Sequence, residues 1–266
     1  MKEYFLNDEI CYHFNEFKSD RLTLVFIHGI PGCLSGWAQY EEKFGKEYNI
    51  LTYDIRGHGK SKRFKKYEDY NIENFTEDLH KLIEYLKIKN FVLIGHSFGV
   101  FISLSFVSKY KDEVKGLILL SPSFIGKEIP SIKKYKTLLN VISKIKLPIF
   151  SNKKRKYIEY PMSINGIGRF KMAIKEIYNT GLQVYLYCIR QLTLLNFEKI
   201  LSEITLPVLL ISGEKDTTIP IKYAKIMSEK IPNSKIITIK EGDHIIPINN
   251  FKEVSTEIEN FIQKIK

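Results

Sequence analysis

Hydrophobic residues in this chain come in short, nearly unbroken runs rather than in alternation. Leu22–Ile27, Tyr48–Tyr53, Phe91–Ile94, Gly116–Leu120, Pro207–Ile211 and Lys235–Ile239 are each rich in branched or aromatic side chains. Runs of that kind predict parallel strands covered on both faces. Helical periodicity fills the gaps, over 36–47, 72–89, 98–110, 222–231 and 252–265. In the second of these, Phe75, Leu79, Leu82, Ile83 and Leu86 share one stripe, with charges opposite. Segments 3–6 and 9–14 flank Asn7-Asp8 and predict a hairpin. Alternating strand and helix gives the expected fold class: α/β, a mostly parallel central sheet flanked by helices.

The alternation stops between Pro122 and Thr205, where the pattern is helical or irregular with no buried strand. This stretch is too long for a connecting loop. It predicts one core built from 1–121 and 206–266, with a helical cap or lid inserted at 122–205. Charge sharpens that division. The chain of 266 residues carries +11, and 122–206 holds 15 Lys plus Arg against 5 Glu, a net of +10.

The remaining totals mostly exclude. No apolar run reaches the length of a membrane span. The first eight residues, Met1 to Asp8, include acidic groups where a signal peptide needs an apolar centre. Cys11, Cys33 and Cys188 lie far apart, as reduced thiols would, and the expected address is the cytoplasm. Histidines, cysteines and acids show no metal-ligand spacing, and no phosphate-binding glycine motif occurs. No metal and no cofactor is expected, and no nucleic-acid role.

Candidate chemistry sits just beyond the strands, where ligands bind in open α/β sheets. Val92-Leu93-Ile94 runs into Gly95-His96-Ser97-Phe98-Gly99, and an apolar helix follows at once. A serine on such a strand-to-helix turn stands clear of both elements. Asp216 follows another strand within Gly213-Glu214-Lys215-Asp216, and His244 follows the last within Gly242-Asp243-His244. A serine hydroxyl is a poor nucleophile until a base takes its proton, and histidine can do so near neutral pH. An acid must then hold the imidazole. Asp216 is the favoured residue for this, with the adjacent Asp243 as its rival.

With these motifs the chain resembles the α/β-hydrolase superfamily, in its serine-nucleophile branch, from about Leu22 to the C-terminus. The likeness is carried by His28-Gly29-Ile30-Pro31-Gly32, the D-x-R-G-x-G-x-S element from Asp54 to Ser61, Gly95 to Gly99, Gly213 to Asp216 and Gly242 to His244. Val100 departs from it, standing where many relatives have glycine. The oxyanion donors are expected to be the Phe98 and Ile30 amides, since Pro31 has no N–H. His28 and Gly29 are candidate substrate neighbours. Asp54 and Arg56 are expected to fix the turn beside the site.

The expected function is hydrolysis of an acyl bond, foremost a carboxylic ester of small to medium size, through Ser97, His244 and Asp216. A thioesterase, a monoacylglycerol lipase-like enzyme, a C–C bond hydrolase or an aminopeptidase of the same fold are alternatives, as is a non-catalytic small-ligand receptor. The basic segment lowers the aminopeptidase option. It raises that of an anionic or lipid-like substrate, without stable membrane insertion, and Lys153 to Lys156 are the candidates for attracting it. Met162, Ile164, Ile167 and Met172 could line an apolar pocket, although core packing is the favoured reading of them.

Overall fold

A computed structural model describes residues 1–142 and 157–265. Among them, eight strands form one sheet in the order β1-β2-β4-β3-β5-β6-β7-β8. The strands are β1 (Lys2–Leu6), β2 (Ile10–Phe14), β3 (Thr23–Ile27), β4 (Asn49–Tyr53), β5 (Phe91–His96), β6 (Val114–Leu120), β7 (Val208–Gly213) and β8 (Ser234–Ile239). β1 and β2 pair antiparallel, β2 pairs antiparallel with β4, and all other neighbours are parallel. The first hairpin turns at Asn7 and Asp8, both at positive φ, which suits these residue types.

Continuous hydrophobicity has a simple cause here. Successive side chains of a strand point to opposite faces, and both faces are covered. Val25, Ile27, Leu93, Leu117 and Leu210 join a core with α2 (Ile72–Tyr85) and α3 (Phe98–Tyr110). Leu24, Phe26, Val92, Ile94, Ile118 and Leu209 face α1 (Ala38–Phe44) and α9 (Phe251–Ile265). Val100, the departure noted above, is fully buried in the first of these cores. Truncating one such side chain to alanine costs about 2–5 kcal/mol.

Between β6 and β7 lie α4 (Pro130–Ile142), α5 (Ile167–Thr180) and α6 (Leu182–Leu192). The described part of this stretch contributes no strand to the sheet, only an isolated bridge between Ile125 and Asn196. α7 (Lys222–Lys230) and a four-residue helix, α8 (Ile246–Asn249), complete the set. α8 is too short to leave a periodic signal, and α2 stops at Tyr85, four residues short of the predicted end. Among the described residues no helix is long and apolar enough to cross a membrane.

Candidate active site

The parallel register brings the C-terminal ends of β3, β5, β6 and β7 side by side, with Ile27 opposite Gly95 and His96 opposite Leu120. Ser97 therefore leaves β5 at the centre of the sheet and immediately starts α3. Its backbone sits at φ +54° and ψ −110°, an arrangement that costs about 1–3 kcal/mol and persists only where the surroundings impose it. The surroundings are tight. A Cβ on Gly95 would fall 2.6 Å from the Gly99 carbonyl oxygen, and one on Gly99 2.4 Å from that of Ile27. Only glycine lets α3 come this close to β3 and hold the serine on its turn.

Ser97, His244 and Asp216 are brought into one hydrogen-bonded line. His244 Nε2 lies 3.0 Å from Ser97 Oγ, and its Nδ1 lies 2.8 Å from Asp216 Oδ2. The network assigns the tautomer: Nδ1–H donates to the carboxylate, leaving Nε2 to accept from the hydroxyl. Asp216 is buried, and its other oxygen accepts from the amides of Thr218 (2.9 Å) and Ile219 (2.8 Å). Burial pushes this carboxyl up, but the bond and charge of His244 and the Ile219 amide outweigh it and hold the group below its ordinary value.

Asp243, the rival acid, is turned to other partners. Its oxygens accept from Arg169 (3.2 Å), Asn249 (3.0 Å) and the Ile245 amide (2.8 Å). Asn249 also exchanges two hydrogen bonds with the backbone of Ile164. These contacts tie α5 and the residues before it to the loop that carries His244.

Two further histidines frame the site. His28 Nδ1–H donates to the Gly29 carbonyl at 2.8 Å, while Nε2 accepts from the Ile55 amide at 3.1 Å. Burial lowers its pKa to about 4. It is thus a neutral brace for the loop, with no ring nitrogen left over for a ligand. His96 donates from Nε2 to the His244 carbonyl at 2.9 Å, and burial together with His244 lowers its pKa to about 3. Its part in pinning the His244 backbone was not legible from the chain.

Gly29 lies against the serine, since a Cβ there would be 3.0 Å from Ser97 Cβ. Within the following loop the Gly32 amide is used on the Gly29 carbonyl, and Pro31 has no N–H. Phe98 is the first residue of α3, where an amide has no intrahelical acceptor. Asp54 and Arg56 do not pair with each other. Asp54 accepts from the Leu34 and Lys60 amides, and Arg56 forms a two-point pair with Asp78 at 2.6 and 2.7 Å.

A cavity of about 260 Å³ opens beside this line. The loop from His28 to Cys33 forms one wall, His96, Thr218, His244 and Ile245 another, and Arg169, Met172, Ala173 and Glu176 of α5 a third. Ile164 and Met172 line it, the less favoured of the two readings, whereas Met162 and Ile167 are exposed and serve neither. Tyr160 and Glu176 were missed. Glu176 left one trace in the sequence, the i, i+3, i+4, i+7 spacing of Arg169, Met172, Ala173 and Glu176, which puts it on one helix face with them; Tyr160 precedes that helix and shares no such pattern. Lys153 to Lys156 lie outside the described residues.

The family model described as "alpha/beta hydrolase fold" matches residues 23–251. The chain belongs to the alpha/beta hydrolase family. Among its relatives, Protein ABHD8 of Mus musculus is 24% identical over 253 residues, and this chain spans 55% of that protein's length. The bifunctional esterase/perhydrolase DCH of Acinetobacter calcoaceticus is 24% identical, with 92% of each chain covered. In three dimensions the chain is similar to the crystal structure of a putative lipase from Acinetobacter baumannii AYE. The TM-score is 0.78 at 21% identity, covering 99% of this chain and 91% of that one. These resemblances establish the hydrolase fold and a set of esterase- and lipase-named relatives.

Proposed function

We propose that this alpha/beta hydrolase is a serine esterase acting on short acyl esters. The observation that carries the reading is the Ser97–His244–Asp216 line, with hydrogen-bond distances of 3.0 and 2.8 Å, opening on a small cavity. Ser97 Oγ attacks the ester carbonyl carbon as its proton passes to His244 Nε2. The carbonyl π electrons move onto oxygen, where the Phe98 and Ile30 amides offset the charge. Collapse of this intermediate breaks the bond to the alcohol oxygen, which leaves with the proton from His244. Water then gives a proton to His244 and attacks the acyl-serine, and the returning proton restores Ser97 as the acid departs. Asp216 keeps the imidazole in the required tautomer and stabilises its cationic form.

Cavity size points to the substrate. About 260 Å³ lies just under the roughly 300–1,000 Å³ of sites for drug-sized ligands, so short acyl groups fit better than long lipid chains. In this reading the segment 122–205 caps the site, because α5 and the residues before it supply one cavity wall. The test is a series of p-nitrophenyl esters from acetyl to palmitoyl, with Ser97→Ala beside the wild type. Turnover that peaks at short chains and disappears in the variant is the expected result. No turnover above the variant at any length would defeat the reading and favour a binding role or a different bond.

A further inference from the structure

The cavity holds a carboxyl group that the proposed chemistry does not use. Glu176 is half-buried on the inner face of α5, beside the loop that follows Gly29: a Cβ on Gly32 would lie 3.6 Å from its Oε1. Oε1 accepts from the Tyr160 hydroxyl at 2.5 Å. Tyr160 also approaches Cys33 Sγ at 3.7 Å, so the acid's near side is fixed to the loop wall. Oε2 has no hydrogen-bond partner among the described residues. Arg169, two turns earlier on the same face, is engaged by Asp243 instead. A carboxylate placed in a largely apolar space with an oxygen uncommitted is costly unless something donates to it.

We propose that Glu176 is a specificity group, whose free oxygen accepts from a hydrogen-bond donor, an ammonium or a hydroxyl, carried by the substrate. This rests on the esterase reading and deepens it by naming a chemical feature of the ester. Burial pushes the Glu176 carboxyl up to about 7, as expected for an acid awaiting a partner. The other titratable groups around its carboxyl are Tyr160, Cys33 and Tyr185, all uncharged with their pKa pushed up by burial, and the cation on the same helix face, Arg169, is paired with Asp243.

The test uses two sets of isosteric esters. On the acyl side these are p-nitrophenyl 3-methylbutyrate, 3-hydroxybutyrate and 3-aminobutyrate. On the alcohol side they are propyl, 2-hydroxyethyl and 2-aminoethyl butyrate. The readout is the ratio of kcat/KM for each donor-bearing ester to that of its methyl-terminated isostere, in wild type, Glu176→Gln and Glu176→Leu. Assayed at pH 8, above the raised Glu176 value, wild type should in one set at least prefer a donor by about tenfold or more, the usual worth of a hydrogen bond to a charged group. Gln keeps an acceptor for Tyr160 and for a hydroxyl but no charge, so it should lose an ammonium preference and retain a hydroxyl one. Leu should lose both. A merely structural Glu176 would change rates without changing these ratios. Turnover of the methyl-terminated esters with no donor preference in either set, or a preference that survives in Leu, overturns the proposal alone. No turnover of any ester overturns the esterase reading beneath it.

Discussion

The sheet and the segment that interrupts it between β6 and β7 divide the work of the site differently. In the proposed reaction the sheet supplies the reacting atoms by position: Ser97, Asp216 and His244 each stand on the loop after a strand, and parallel register brings those loops together. The interrupting segment supplies none of them. It provides a wall, in which one face of α5 sets Arg169, Met172, Ala173 and Glu176 against the cavity. The proposal thus puts chemistry on packed, deeply buried elements, and selectivity on a helix whose outer face exposes Ile167, Phe170, Ile174 and Tyr178. Changes in the sheet loops should abolish the reaction, whereas changes in α5 should redirect it.

The largest effects should fall on the serine line. Ser97→Ala should lower kcat/KM by about 10⁴-fold or more, and Asp216→Asn by about 10³–10⁴-fold, measured on p-nitrophenyl butyrate with circular dichroism to confirm folding. A milder loss in Asp216→Asn, matched by a comparable loss in Asp243→Asn, would blur the distinction between the two acids. Next comes the support beneath the serine. Gly99→Ala should cost about 1–3 kcal/mol in denaturant unfolding and reduce activity as well, because its Cβ would press on the Ile27 carbonyl.

Substitutions in the helical wall should separate activity from stability. Met172→Ala should move the preferred acyl chain length upward, with a stability loss below the roughly 2–5 kcal/mol of a core truncation. An unchanged chain-length profile would remove α5 from the acyl side of the cavity. The smallest effect expected is a pH dependence of stability. The Glu176 carboxyl titrates near 7 in the folded protein against an ordinary value of 4.5, so the native state holds a proton that the unfolded chain releases. Stability should therefore fall as pH rises from about 4.5 to 7. After solvent screening the loss is about 1 kcal/mol, or roughly 2–4 °C in Tm. Glu176→Gln should flatten that slope in thermal scans at pH 5 and 8.

The same contrast explains what the sequence could and could not tell. Strands covered on both faces write themselves as apolar runs, and the residues after them are then found by counting forward. Ser97, Asp216 and His244 were legible in that way. Asp216 was favoured over Asp243 as the partner of His244, but what turns Asp243 away, its bonds to Arg169 and Asn249, was not legible, because those residues are distant in the chain or depend on the loop's own path. His28 read as a possible substrate neighbour; it stands in the cavity wall, with its two ring nitrogens taken up by Gly29 and Ile55. In the helical segment, composition pointed to a positive surface, whereas the α5 face toward the cavity carries one cation, Arg169, and one acid, Glu176. Net charge sums over every face of a helix, and a pocket samples only one.

The central claim is that Ser97 carries the acyl group between alcohol and water. Its most direct test is mass spectrometry of the enzyme quenched during turnover of p-nitrophenyl acetate, with the proteolytic peptide holding Ser97 sequenced. The account predicts one acetyl group on Ser97, gained within the first turnover and lost to water afterwards, and none in Ser97→Ala. Release of p-nitrophenol without any acyl group on that serine, at a rate shared by the alanine variant, would contradict it.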